Sequence, residues 1–140
     1  MRSASGDDLI GAVRTFFATP PAGMAAVYVF GSAARGQSRP ESDVDVAVLF
    51  DQDPPRTLKG LRFDLADALA QHLGRNVDLI VLNRAPADLV HRVLRDGVLV
   101  CEPDRSARVS FEVRRRNEYF DLDPIRRQYR RVAGTGSSPP

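Results

Sequence analysis

The chain has few of the residues that mark several common classes of protein. Its 140 residues include one cysteine, Cys101, and one lysine, Lys59. A single cysteine excludes an internal disulfide and a zinc site built from four cysteines. No apolar run approaches the roughly 20 residues of a membrane span, and no apolar stretch follows Arg2 as in a secretory signal. We therefore expect a cytoplasmic protein without a membrane partner.

Charge of one sign is not in large excess either. The chain has 20 basic and 18 acidic residues, a net charge of +2, so charge alone does not favour nucleic acid as a direct partner. Arginine is unevenly placed, because residues 108–131 hold eight arginines and four acids. Within this segment we interpret Arg114-Arg115-Arg116 as a solvated helix face. The alternative is a docking surface for an acidic protein or RNA.

Helix-period and strand-period segments alternate, which predicts an α/β (α+β) fold with a small mixed sheet covered by helices. We predict strands over residues 25–30, 43–50, 76–82 and 98–101. Helices are predicted over 7–17, 58–73, 86–97 and 104–120, and Asp123-Pro124 is typical of another helix start. We expect one domain over 1–132, whose C-terminal segment from about 104 to 132 is helical, and a flexible tail over 133–140.

The apolar pattern also predicts which helix faces pack on the sheet. Five leucines mark one face of the second helix: Leu58, Leu61, Leu65, Leu69 and Leu73. In the C-terminal helix the predicted packed face consists of Val109, Val113 and Phe120. Three residues of types that can bind metals or act as nucleophiles are interpreted as surface, core-edge or buried apolar positions: His72, His91 and Cys101.

Three aspartates in or beside the predicted strands are candidates for metal chemistry. Asp43 and Asp45 are two residues apart on one strand, so both side chains point to the same face. Two such close anions repel each other, and a Mg²⁺ ion, which prefers carboxylate oxygen, removes that repulsion. A third acid, Asp78, lies in the apolar strand over 76–82, where a buried carboxylate without a partner is costly. It either faces solvent at a sheet edge or joins the metal site.

A glycine-containing turn precedes the aspartate pair. Gly31-Ser32 directly follows the first predicted strand. Glycine allows backbone N–H groups to turn towards an anion, and the serine hydroxyl donates to a phosphate oxygen. The turn is not a Walker A loop, because Gly36 is followed by Gln37. A tight turn without a ligand is the alternative interpretation of Gly31.

Together these motifs resemble the pattern of nucleotidyltransferases in the DNA polymerase β superfamily. Gly31-Ser32 is followed, after ten intervening residues, by Asp43-Val44-Asp45. The sequence over 31–36, with Ser42 before Asp43, resembles the minimal nucleotidyltransferase branch, and Asp78 matches the position of that family's third acid. The sequence over 116–124 resembles the tail of minimal nucleotidyltransferase antitoxins that are paired with HEPN-domain toxins.

The resemblance implies an enzyme that transfers AMP from ATP to a tyrosine hydroxyl of a cognate HEPN-family RNase toxin and so neutralises it. It implies that two Mg²⁺ ions are held by the catalytic carboxylates of Asp43, Asp45 and Asp78. It further implies that Gly31 and Ser32 hold the triphosphate. Arg35 either contacts phosphate or braces the loop, and Ser42 belongs to the same nucleotide-binding set. A hetero-oligomer with the toxin is expected.

Two other functions stay open at this point. One keeps the chemistry but transfers the nucleotide to a small hydroxylated molecule. The other is a non-catalytic module that neutralises a toxin by binding alone. The complete set of three carboxylates argues against the second.

Overall fold

The computed structural model describes residues 6–36, 39, 42–52 and 58–121. Within them the chain forms four helices, four strands and one short 3₁₀ turn over Leu82–Arg84. The helices are α1 (Gly6–Phe16), α2 (Leu58–Leu73), α3 (Ala87–Asp96) and α4 (Arg105–Asp121). The strands are β1 (Met24–Phe30), β2 (Val44–Phe50), β3 (Val77–Val81) and β4 (Val98–Cys101). The predicted helix start at 123–124 and tail over 133–140 lie outside the described residues, as does the C-terminal domain limit at 132.

The four strands form one mixed sheet in the order β3-β2-β1-β4. β1 pairs antiparallel with both β2 and β4, whereas β2 and β3 are parallel. A parallel pair needs a crossover connection, and α2 provides it between β2 and β3. The sheet and the covering helices confirm the predicted fold class.

Each face of the sheet is covered by two helices. Alternate residues of β2 point to opposite faces, so Val46 and Val48 belong to a core with α1 and α2, while Ala47 and Leu49 belong to a core with α3 and α4. All seven residues of β1 are buried, as expected for a central strand covered on both sides. The structure therefore has three layers with the sheet in the middle.

The predicted packed face of α4 is wrong. Val109 and Val113 are 40% and 52% exposed, whereas Phe111 is 4% exposed and packs in the core with α3. Two residues of an α-helix correspond to a rotation of about 200°, so a helix that buries Phe111 turns both valines outward. The side chain of Phe120, the third residue of the predicted face, is not among those that the structure describes.

Polar contacts fix this rotation of α4. Tyr28 Oη of β1 donates a 2.7 Å hydrogen bond to Glu112 Oε2. Arg108 donates to Glu112 at 2.6 Å and also to Glu102. Arg115 donates to the carbonyl of Ala85 at 2.9 Å. Arg115 therefore packs against the domain, and only its two neighbours in the predicted arginine face are exposed.

The leucine face of α2 is only partly correct. Leu69 is buried, and Leu65 and Leu73 pack against the same core, but Leu61 is 43% exposed. Four residues turn an α-helix by about 400°, so a four-residue repeat drifts about 40° per step away from the buried stripe. The helix ends at Gly74, whose φ of 68° is the left-handed conformation of a C-terminal cap. No helix among the described residues is long and apolar enough to cross a membrane.

Candidate functional site

In the turn after β1, the backbone of Gly31 lies against the carboxylate of Asp45. Gly31 has a φ of 70°, and the turn is closed by hydrogen bonds from Arg35 N to Gly31 O at 3.3 Å and from Gly36 N to Ala33 O at 3.2 Å. A Cβ added at Gly31 would overlap Oδ2 of Asp45 and lie 3.2 Å from its Cγ. Any side chain here would therefore displace Asp45. The Asp45 carboxylate occupies the space that a side chain at residue 31 would need.

The three predicted aspartates lie at one end of the sheet and on one face. Asp45 of β2 is paired in register with Phe30 of β1 on one side and with Asp78 of β3 on the other. Asp43 precedes β2 by one residue; the alternation of the strand, continued to it, would put its side chain on the same face, and its charge acts on Asp45. That face is the one covered by α3 and α4, because Phe30 belongs to their core.

The pKa of Asp45 shows that the carboxylates influence one another. Partial burial raises the pKa of Asp45 above its usual value, and the negative charges of Asp78 and Asp43 raise it further. The guanidinium groups of Arg35 and Arg92 act in the opposite direction. Asp43 and Asp78 are both exposed to solvent. Asp78 is thus exposed on the edge strand β3, its charge also acts on Asp45, and its predicted part in a metal site stays a prediction.

The chemistry of this acidic cluster fits a hard divalent cation. Its members offer only carboxylate oxygens, which are the ligands that Mg²⁺ prefers. Their mutual repulsion at Asp45 is the kind of strain that a cation relieves. However, in the part of the chain that the structure describes, no three His, Cys, Asp or Glu side chains are arranged so that they could hold a metal ion. The two-metal site formed by all three aspartates therefore stays a prediction.

A cavity of about 330 Å³ opens beside Asp45. It is lined by the end of β1, the glycine turn, β2 and α3, through Phe30, Gly31, Ser32, Arg35, Asp45, Arg92 and Asp96. The structure thus brings together four of the residues predicted from the sequence: Gly31, Ser32, Arg35 and Asp45. We call this space the nucleotide cavity below, after the ligand that the sequence analysis predicts for its glycine turn.

Arg92 and Asp96 were not singled out by the sequence analysis. They lie four residues apart on α3 and therefore on one side of that helix. The sequence shows the spacing, but it does not show that this side of α3 faces the turn after β1. Only the packing of α3 on the sheet supplies that information.

Ser42 lies in a different place from the other predicted nucleotide-binding residues. Its carbonyl accepts a 2.7 Å hydrogen bond from Arg75, and its hydroxyl accepts a bond from the Arg39 N–H at 3.3 Å. It lines a separate cavity of about 610 Å³ together with residues near the end of α2, among them Asp67 and Asn76. The structure therefore does not bring Ser42 into the nucleotide cavity, and its role in nucleotide binding stays a prediction.

Comparisons with known proteins agree with this geometry. The model of the family "Polymerase beta, Nucleotidyltransferase" matches residues 16–106. The chain is 36% identical over 78 residues to a protein from Thermococcus cleftensis named Protein adenylyltransferase MntA. That alignment covers 56% of this chain and 76% of the relative.

Solved structures with the same fold include chains of two toxin–antitoxin complexes. One, a toxin–antitoxin with AMP-PNP, has a TM-score of 0.69 and 24% identity, and the match covers 89% of this chain and 97% of that one. The other is a tri-AMPylated Shewanella oneidensis HEPN toxin in complex with an MNT antitoxin, with a TM-score of 0.65 and 22% identity over 91% of this chain and 98% of that one. At these identities the likeness shows the fold alone.

Proposed function

The chain belongs to the polymerase β nucleotidyltransferase family, and from that membership we propose that it transfers AMP from ATP to a tyrosine hydroxyl of a cognate HEPN-family toxin. As an antitoxin it would act in the cytoplasm and form a complex with that toxin. The observation that carries the proposal is the position of Asp45. Its carboxylate contacts the glycine turn, shares a face with two further aspartates and lines the nucleotide cavity.

Each part of the site has a task in such a transfer. The acceptor hydroxyl loses its proton to a carboxylate of the cluster or to water, its oxygen bonds to the α-phosphorus, the bond from that phosphorus to the bridging oxygen breaks, and pyrophosphate leaves. The turn at Gly31 and Ser32 holds phosphate with its N–H and O–H donors. Asp43, Asp45 and Asp78 would hold Mg²⁺, which neutralises charge on the phosphates and lowers the pKa of the acceptor hydroxyl. Burial and the charges of Asp78 and Asp43 raise the pKa of Asp45, and a bound cation would offset these effects.

The choice of a protein as acceptor is supported by the curated relative. The Thermococcus cleftensis protein is named a protein adenylyltransferase, and its alignment with this chain covers about three-quarters of its length. The two structural neighbours, both chains of toxin–antitoxin complexes, agree with a toxin as partner.

The test is to incubate the chain with ATP, Mg²⁺ and a candidate HEPN-family partner, and to measure the intact mass of each protein. We expect the partner to gain whole AMP units, and peptide sequencing to find them on tyrosine. The gain should disappear in excess chelator. A partner of unchanged mass, with the chain folded and ATP present, would contradict the proposal. Nucleotide found on a small hydroxylated molecule instead would favour the alternative acceptor.

A matched pair of variants distinguishes an effect on the catalytic site from a general effect of removing a carboxylate beside β2. Asp45→Asn removes the central carboxylate, and Asp51→Asn removes an exposed carboxylate just beyond the opposite end of β2. We expect Asp45→Asn to lose at least about 100-fold in transfer rate, because the removed carboxylate acts on the reacting phosphate. Asp51→Asn should keep the wild-type rate. Equal rates for the two variants would show that the cluster is not catalytic.

A further inference from the structure

One side of the nucleotide cavity is formed by α3, which contributes the cationic side chain of Arg92. This residue belongs to neither the glycine turn nor the aspartate motif. We propose that Arg92 binds the two outer phosphates of the nucleoside triphosphate, those that leave as pyrophosphate, and so makes the cavity prefer a triphosphate over a monophosphate. The inference rests on the proposed function and assigns to it a residue that the motifs do not contain.

The first step is the position of α3. The helix is followed by Gly97 and then by β4, in which Val98 pairs with Val29 of β1. A Cβ added at Gly97 would lie 2.5 Å from the carbonyl oxygen of Val93 and 3.4 Å from that of Val29. The first distance lies within the last turn of α3 itself, whereas the second is an ordinary van der Waals contact with β1. The pairing of Val98 with Val29, two residues before Gly31, therefore places the end of α3 beside the end of β1.

The second step is the orientation of α3. Val90 and Val93 are buried in the core below the helix. Arg92 and Asp96 both line the nucleotide cavity, as expected for residues four apart on one helix side. Arg92 is exposed to solvent. Among partners within the described residues its guanidinium makes no hydrogen bond or ion pair, so its five N–H donors remain available to a ligand.

The third step is the charge pattern of the cavity. Arg92 and Arg35 act electrostatically on Asp45, which places their positive charges within range of the carboxylate cluster. The remaining acid on this wall, Asp96, is paired with Arg95 through bonds of 2.9 and 2.8 Å. The cavity is therefore lined by the Asp45 carboxylate on the sheet and by two guanidinium groups, Arg35 of the glycine turn and Arg92 of α3. That arrangement complements a polyphosphate with its divalent cation better than it complements either ion alone.

The fourth step decides which phosphates Arg92 contacts. Asp43 precedes β2, and Asp45 and Asp78 lie on β2 and β3; these carboxylates would hold the cation that acts on the reacting α-phosphate. A triphosphate that extends from this point across the cavity brings its outer phosphates to the α3 wall. Negative charge also grows on the leaving pyrophosphate during transfer, and guanidinium groups are well suited to stabilise it.

The test is calorimetric titration of the full chain with ATP, ADP and AMP, each with Mg²⁺. Four forms of the chain are compared: wild type, Arg92→Gln, Arg92→Lys and the control Arg62→Gln, which changes an exposed arginine on α2. We expect Arg92→Gln to weaken ATP binding about 10- to 100-fold, which is the usual effect of losing a charged hydrogen bond to phosphate. AMP binding should change less than about twofold, and Arg92→Lys should recover part of the ATP affinity.

The series of nucleotides separates this inference from its alternatives. Equal ATP affinity in wild type and Arg92→Gln would overturn the role of Arg92 and leave the proposed function intact. An equal loss for AMP and ATP would also overturn it, because a contact to the outer phosphates cannot weaken AMP. A wild-type chain that binds none of the three nucleotides would overturn the proposed function and this inference with it. Arg92→Lys keeps the charge and carries the test if Arg92→Gln fails to fold.

Discussion

Replacement of Gly31 by alanine is the sharpest perturbation that the site offers. The residue has a φ of 70°, and the added Cβ would overlap Oδ2 of Asp45. The backbone of the turn is anchored to β1, so the flexible part of the contact is the Asp45 side chain. We expect Gly31→Ala to push that carboxylate out of its position and thereby to damage the site more than the fold.

A second glycine in the same turn provides the control. Gly36 has a φ of 69°, but a Cβ added there meets nothing within 4 Å. Both alanine variants should therefore lose about 1–2 kcal/mol of unfolding free energy to the strain of a left-handed residue. Gly31→Ala should lose about 0.5–1.5 kcal/mol more, because it forces the Asp45 side chain away from its rotamer. The free energies of unfolding should thus differ by about 1 kcal/mol.

Transfer rates should separate the two variants much more strongly. A displacement of catalytic groups by about 1 Å costs roughly 100-fold in rate, so Gly31→Ala should be at least that much slower than Gly36→Ala. The unfolding free energy is measured by denaturant titration without nucleotide, and the rate by the mass gain of the acceptor at saturating ATP. If both folded variants transfer at the same rate, the approach of Asp45 to Gly31 has no part in the reaction.

Three other outcomes follow from the described contacts. Burial and two neighbouring carboxylates raise the pKa of Asp45, so its charged form is penalised in the fold. Without divalent ions, Asp45→Asn should melt at a higher temperature than wild type at pH 7, and this gain should vanish below about pH 4; no gain at pH 7 would contradict the repulsion. The pKa of Tyr28 is raised by burial and by its bond to Glu112, so Tyr28→Phe should lose about 1.5–3 kcal/mol of unfolding free energy below pH 10 and less above it; a loss independent of pH would refute this. If Arg114 and Arg116 dock an acidic partner, changing both to Gln should slow association and weaken its salt dependence while ATP binding is unchanged, as stopped-flow measurements at two salt concentrations would show.

The part of the site that lies on strands was predictable from the sequence. Side chains two apart in a strand share a face, so Asp43 and Asp45 had to point the same way. The parallel pairing that puts Asp78 beside Asp45 follows once α2 is recognised as a crossover. A glycine directly after a buried strand predicted a turn with a backbone conformation that favours glycine, and the left-handed φ of Gly31 confirms it.

The helical wall of the cavity was not predictable in the same way. A helix shows which of its residues share a side, and for α3 the pattern correctly separates buried Val90 and Val93 from Arg92. It does not show what that polar side faces. That depends on the packing of α3 on the sheet and on the pairing of Val98 with Val29 of β1, and no local pattern encodes a contact between residues so far apart in the chain.

The buried face of α4 was also not predictable from its local sequence pattern. Two valines with helical spacing predicted a buried stripe, but the structure buries Phe111 and selects the opposite side. The decisive contact joins Tyr28 to Glu112, 84 residues away in the sequence, inside a cluster that Arg108 extends. The observed rotation removes the larger side chain of Phe111 from water, and it also gives the adjacent Glu112 a hydrogen-bond partner on the sheet. Apolar size and polar pairing together decide which side of α4 is buried. The outward side is left with Val113, and the exposed arginines on either side of Arg115 keep it positively charged.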